Sequence, residues 1–148
     1  LPIQLGGLLS THNLAIPGMT DMNSTLVIST SIIATNTGNV AESYALRATT
    51  ATPGSTWAIG SATGIDQYTL WSVVNSTQPD TNDFANEDKV ADPFIDATTT
   101  VFSMGNQTAV SVPPGEDRVL WFKLGTPKAI TTADVQDIQI FAMPRAGP

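Results

Sequence analysis

Thr35-Asn36-Thr37-Gly38-Asn39-Val40-Ala41-Glu42-Ser43-Tyr44-Ala45-Leu46 and Val112-Pro113-Pro114-Gly115-Glu116-Asp117-Arg118-Val119-Leu120-Trp121-Phe122-Lys123-Leu124 are the two stretches that decide the fold. In each, a polar turn carrying Gly or Pro-Gly feeds a run of β-branched, aromatic and aliphatic residues, which is how one edge of a small β-sandwich is written. Outward from them, period-2 alternation recurs along the chain. Leu1, Ile3 and Leu5 alternate ahead of Gly6-Gly7; Leu26, Ile28, Thr30, Ile32 and Ala34 alternate with Val27, Ser29, Ser31 and Ile33. The second pattern has two largely apolar faces, as a central strand requires. Tyr68, Leu70 and Val74 are expected on one face of a strand over 67–74, with Trp71 and Val73 on the other. Ile138, Ile140 and Ala142 oppose Gln139, Phe141 and Met143 in the last strand.

Two regions read less simply. Residues 100–104 and 108–112 look like a hairpin around Gly105-Asn106. The stretch 75–96 is too long for a tight turn and carries Asp80, Asp83, Glu87, Asp88, Asp92 and Asp96; a short helix over about 81–90, capped by Thr81 or Asn82, is expected there. No helical period runs longer than a turn or two elsewhere. The fold expected is all-β: a single sandwich over residues 1–148, immunoglobulin-like or jelly-roll-like, with about eight or nine strands and one long acidic loop at 75–96.

Composition excludes several functions. The chain has 148 residues, enough to bury a core without staples, and only 13% of them are charged, about half the usual share. The net charge is −7, with Lys89, Lys123, Lys128, Arg47, Arg118 and Arg145 scattered singly. No basic stripe exists to neutralise phosphates, so nucleic acid is not an expected partner. Cysteine is absent, which removes disulfides, thiolate metal sites and thiol nucleophiles together. No apolar run approaches the ~18 residues of a membrane span. A start at Leu1 rather than Met is read as a mature form whose leader, if it had one, is gone; a trimmed chain would look the same.

Catalytic parts are missing as well. The one imidazole, His12, lies in a Gly-, Ser- and Pro-flanked segment without a nucleophile motif, and reads as an exposed or capping histidine. No Gly-x-Ser-x-Gly, His-Glu-x-x-His or phosphate-cradling loop occurs. The chain is therefore expected not to be an enzyme, and no catalytic residue is assigned. Asp80, Asn82, Asp83 and Asp88 offer hard oxygen ligands at short spacing and form a weak calcium candidate, the only cofactor considered; a solvated loop is the plainer reading. Asn23, Asn75 and Asn106 begin sequons usable by a glycosylating cell. Trp57, Trp71, Trp121, Tyr44 and Tyr68 are either core residues or a stacking platform for glycans. The core is the commoner fate of Trp71 and Trp121, which sit inside alternating strands.

Asn36-Thr37-Gly38-Asn39 followed by Tyr44-Ala45-Leu46, then Val112-Pro113-Pro114-Gly115-Glu116 and Thr126-Pro127, resembles the immunoglobulin-like β-sandwich modules of prokaryotic cell-surface proteins. In those a strand ends in Asn-x-Gly-Asn, the next begins with an aromatic residue, and Pro-Pro-Gly-Glu precedes a late strand. The resemblance covers residues 26–143 and implies architecture; the acidic insertion after Trp71 departs from it. More loosely, a Cys-free, Thr-rich sandwich of this size is similar to subunits of archaeal and bacterial extracellular fibres, bundling pili and camelysin-like biofilm fibres, which join by lending a strand to a neighbour.

The beginning of the chain has the makings of such a strand. Leu1, Ile3 and Leu5 alternate, Gly6-Gly7 supplies freedom, and Leu8-Leu9 follows; strand addition needs a main-chain ladder and alternate side chains for pockets. The alternative is that this strand pairs at the edge of its own sheet. The expected function is a structural subunit, extracellular and at the cell surface, that polymerises with itself by donating residues 1–9. Leu1, Ile3, Leu5, Leu8, Leu9, Phe141 and Met143 are its candidate interface, together with the 75–96 loop. A glycan- or surface-binding module is the second expectation, and a viral coat or tail sandwich the third.

Overall fold

Asn36 shows why the chain turns where it does. Its Oδ1 accepts the Gly38 N–H at 2.9 Å and its Nδ2 donates to the Val40 carbonyl at 2.9 Å, closing the turn over residues 37–41. The same Nδ2 donates to the Val112 carbonyl at 2.9 Å, and the Gly115 N–H donates to the Asn36 carbonyl at 2.7 Å. Gly115 takes φ +79°, open to glycine without strain. The two deciding stretches are thus bonded to one another at one end of the molecule.

The computed structural model describes residues 3–5, 8–9, 11–13, 26–29, 31–50, 57–105, 107–131, 136 and 138–146. The strands are β1 (Ile3–Leu5), β2 (Leu8–Leu9), β3 (Thr11–Asn13), β4 (Leu26–Ile28), β5 (Ile32–Asn36), β6 (Glu42–Thr50), β7 (Ala58–Ile59), β8 (Gln67–Val74), β9 (Ile95–Asp96), β10 (Asp117–Gly125) and β11 (Ile138–Ala146). One sheet runs β2-β1-β5-β10-β8-β7, with β4 also on β10; the other runs β3-β11-β6-β9. Every named pairing is antiparallel except β7 with β8. The protein is an all-β sandwich.

The core lies between the sheets. Ile32, Ala34, Tyr68, Leu70, Val74, Leu120, Phe122 and Leu124 face Tyr44, Leu46, Ala48, Ile138, Ile140 and Ala142. The alternations read in the last strand and in 67–74 hold, since Tyr68, Leu70, Val74, Ile138, Ile140 and Ala142 join the core between the sheets while Phe141, Met143 and Trp71 are half-buried on the outer faces and Val73 is buried outside that core.

The long strand read over 26–34 is split in two. Lys123 faces Ile28 and Leu120 faces Ile32, so residues 29–31 oppose only residues 121–122. This is a bulge of one extra residue. Ser29 carries it: its N–H donates to the Phe122 carbonyl at 2.9 Å and its Oγ accepts the Phe122 N–H at 3.2 Å.

The helix expected at 81–90 is instead two 3₁₀ turns, Thr81–Asp83 and Asn86–Asp88. Asp83 Oδ2 accepts the Asp80 N–H and Asp88 Oδ2 accepts the Ala85 N–H, each at 2.8 Å. Each carboxylate takes up the backbone at the start of its own turn, and both turns end in extended Phe84 and Lys89. The hairpin expected around Gly105-Asn106 reduces to one isolated bridge, Met104 with Gln107. Its flanking backbone is used elsewhere, on the edges of β8 and β6.

That use closes one flank of the sandwich. Val90 N–H donates to Leu70, and Val74 N–H donates to Phe102, covering β8 beyond β7. Ala48 donates to Ala91, Tyr44 to Ala109, and Glu42 exchanges both bonds with Val112, covering β6 beside β9. The opposite flank is closed by the beginning of the chain: β1 lies on β5 and β3 on β11. Bare strand edges invite pairing with other chains, and each flank here has its cover.

Candidate subunit interface

Gln4 pairs with Thr35, Ile3 with Asn36 and Leu5 with Ala34, while Leu5–Leu8 and Gln4–Leu9 pairs fold β2 back along β1. The strand expected to be lent to a neighbour therefore forms its ladder on β5 of its own chain. Gly6 and Gly7, expected to give this segment freedom, lie outside the described residues. Leu1 lies outside the described residues. His12, on β3, pairs with Ile140.

Phe141 and Met143 lie elsewhere, on the outward face of the β11 sheet. They line a cavity of about 310 Å³ with Phe94, Ala142 and Pro144. Phe141 is the register partner of Arg47, whose guanidinium lies 4.8 Å from its ring centroid and 5.8 Å from that of Phe94. Arg145 approaches Phe94 to 5.8 Å as well. Arg47 pairs with Asp92 and Arg145 with Asp96, each at 3.0 Å. Phe94, Arg47 and Arg145 were not singled out in sequence, although the outward period of 43, 45, 47 and 49 on β6 carries the signal for Arg47.

The acidic loop lies on the outward face of the other sheet. Lys123, opposite Trp71 in the ladder, holds its Nζ 4.0 Å from the Trp71 ring centroid and 5.4 Å from that of Phe84. It donates to the Thr81 carbonyl at 3.1 Å, and Lys89 Nζ donates to Ser61 at 2.6 Å. Burial lowers the Lys123 amine from its ordinary value, and Lys89 adds to that; Asp88 acts the other way. Asp88 is itself buried, and its Oδ1 accepts the N–H of Phe102, a buried residue at φ +61°. Burial raises its carboxyl despite those hydrogen bonds.

Asp80, Asn82, Asp83 and Asp88 do not converge as ligands. Asp83 and Asp88 are spent on the backbone, and no group of three His, Asp or Glu residues is placed to hold a metal among the described residues. Asn75 is 8% exposed, with Nδ2 donating to the Thr77 carbonyl and hydroxyl. Asn23 and Asn106 lie outside the described residues.

The five aromatics do not form an open platform. Tyr44 and Tyr68 are in the core, Trp57 packs against it, Trp71 lies under Lys123, and Trp121 donates its indole N–H to Asn75 at 3.0 Å. Sequence reading also passed over Glu42. It is fully buried, neither carboxylate oxygen has a hydrogen-bond partner, and burial raises its carboxyl above the ordinary range. The Tyr68 hydroxyl is pushed up to about 12, chiefly by burial.

Fold and surfaces together define a two-sheet sandwich in which the first thirteen residues of the chain supply three strands along one flank. No helix among the described residues is long and apolar enough to cross a membrane. Comparison with protein-family models, with curated proteins and with solved structures finds no match to this chain.

Proposed function

We propose that this protein is a structural subunit of an extracellular filament or surface layer, at the cell surface, in which the segment carrying β1, β2 and β3 leaves its own flank and closes that of a neighbour. The carrying observation is the position of residues 3–13: they cover β5 in one sheet and β11 in the other, and their removal bares both edges. An exchanged segment makes the same ladder in trans that it makes in cis, so little pairing energy separates the two forms. Residues 14–25 join β3 to β4, and twelve residues reach at most about 40 Å, enough to cross to an adjacent copy. The likeness of the turns to prokaryotic surface modules points the same way.

A disulfide trap tests this, since the chain has no cysteine of its own. Gln4→Cys with Thr35→Cys places two thiols at register partners, within the Cα spacing a disulfide accepts. The expected result is a ladder of covalent oligomers on a non-reducing denaturing gel, growing with concentration before oxidation. Linked monomers alone, at every concentration, would overturn strand exchange.

A further inference from the structure

The outward face of the β3-β11-β6-β9 sheet carries a constellation that strand exchange does not use. Register sets its order. Phe141 is opposite Arg47 and Arg145 is opposite Ser43, so the two arginines stand four residues apart along the ladder, roughly 13 Å. Phe94, in the segment that enters β9, lies between them, with each guanidinium carbon 5.8 Å from its ring centroid. None of the five aromatics read from the sequence as a stacking platform belongs to this row.

Each arginine is held by a carboxylate from the same segment. Arg47 donates from Nε to the Asp92 carbonyl at 2.6 Å and from Nη2 to Asp92 Oδ1 at 3.0 Å; Arg145 donates from Nε to Asp96 Oδ1 at 3.0 Å. Hydrogen-bonding capacity is left over in both pairs. Among the described residues, Arg47 Nη1, both Nη atoms of Arg145 and the Oδ2 of each aspartate make no hydrogen bond, and both carboxylates are exposed. The row thus presents donors and acceptors side by side at each end of an aromatic ring, in a planar fork fixed by its partner.

Two cavities adjoin it. One, of about 310 Å³, is walled by Phe94, Phe141, Met143 and Pro144 and is apolar. The other, of about 460 Å³, is lined by Arg145 and Asp96 together with Ser43, Thr98 and Thr99. Pro144 and Arg145 are consecutive, so an apolar hollow and a hydroxyl-lined one are neighbours. Apolar walls with a few fixed polar groups are what a small-ligand site requires.

The chemistry selects the ligand. Each guanidinium is already balanced by a carboxylate and the chain carries −7, so a polyanion is repelled rather than drawn in. A wholly apolar ligand would cover the spare nitrogens and oxygens without pairing them, which costs binding. A peptide recruited by ladder pairing needs a free strand edge, and this is a sheet face. A ring with apolar faces and a rim of neutral hydroxyls, each able to donate and to accept, satisfies both parts. We infer that this face binds an uncharged oligosaccharide, with a ring in the Phe94, Phe141 and Met143 cavity and its hydroxyls on the Arg47–Asp92 and Arg145–Asp96 pairs. The site is built within one chain and serves a single copy as well as a polymer.

Methionine methyl groups report on it, because Met143 lines the cavity and Met104, on the loop beyond β8, does not. Methyl-¹³C-methionine protein is titrated with cellotetraose, maltotetraose, laminaritetraose and tetra-N-acetylchitotetraose, each to about 10 mM, a range that captures weak binding. The expected result is a saturable shift of the Met143 methyl with at least one of them while Met104 stays in place. Phe94→Ala and Arg145→Gln should each weaken that binding about tenfold or more, with the Met104 signal reporting that the fold is kept. If Phe94→Ala does not fold, Arg145→Gln and Asp96→Asn, both at exposed side chains, decide the matter. No saturable Met143 shift from any of the four sugars, binding unchanged in these variants, or tighter binding of tetragalacturonate than of the uncharged sugars would each overturn the inference.

Discussion

Glu42 begins β6 at the junction of the two deciding stretches, and its carboxyl is shut inside the sandwich without a partner. Burial favours the neutral form, so the folded chain keeps this proton to a higher pH than the unfolded chain does. Between the two pKa values folding takes up a proton, and stability falls as pH rises through that window. Asp88 shifts in the same direction for the same leading reason. The melting temperature should therefore rise when pH is lowered from neutrality toward the ordinary carboxylate range. Glu42→Gln should stabilise the neutral-pH protein by about 1 kcal/mol and flatten part of that profile, as thermal melts across pH would show. A profile unchanged by the substitution would assign the dependence to other groups.

Among the elements, the long insertion illustrates what a sequence conceals. Its acidic run and Thr81-Asn82 signal suggested a helix, yet each of two aspartates bonds the backbone three residues earlier and ends its turn. Local side-chain bonding of this kind competes with the helix and leaves no periodic trace. In sequence Lys123 is one scattered charge, because its burial depends on Trp71 across the ladder and on Phe84 from the loop above. Lys123→Ala should cost about 1–3 kcal/mol through the lost ring contact and hydrogen bond. Hydrogen exchange should then quicken in residues 80–90 and not in β10; uniform acceleration would mean that Lys123 serves the fold at large rather than the loop. What was legible, by contrast, was local: the Asn36 turn, the Pro-Pro-Gly turn and the alternation of β8 and β11 need only neighbouring residues. The outward cluster of Arg47, Phe94, Phe141 and Arg145 needs three separate strands or loops to meet, and no short window contains it.

For the whole molecule, the two flanks are closed by different means. One is sealed by residues 89–112, bonded to both sheets from within the body of the chain; the other by β1 on β5 and β3 on β11. The strand expected to be lent has a place on β5 of its own chain, and under the proposed exchange it would take the equivalent place on a neighbour. The most direct measurement is sedimentation velocity, with negative-stain microscopy, on the unaltered chain over a wide concentration range. Filaments or long oligomers that increase with concentration are the predicted result; a species of single-chain mass at every concentration would contradict the account.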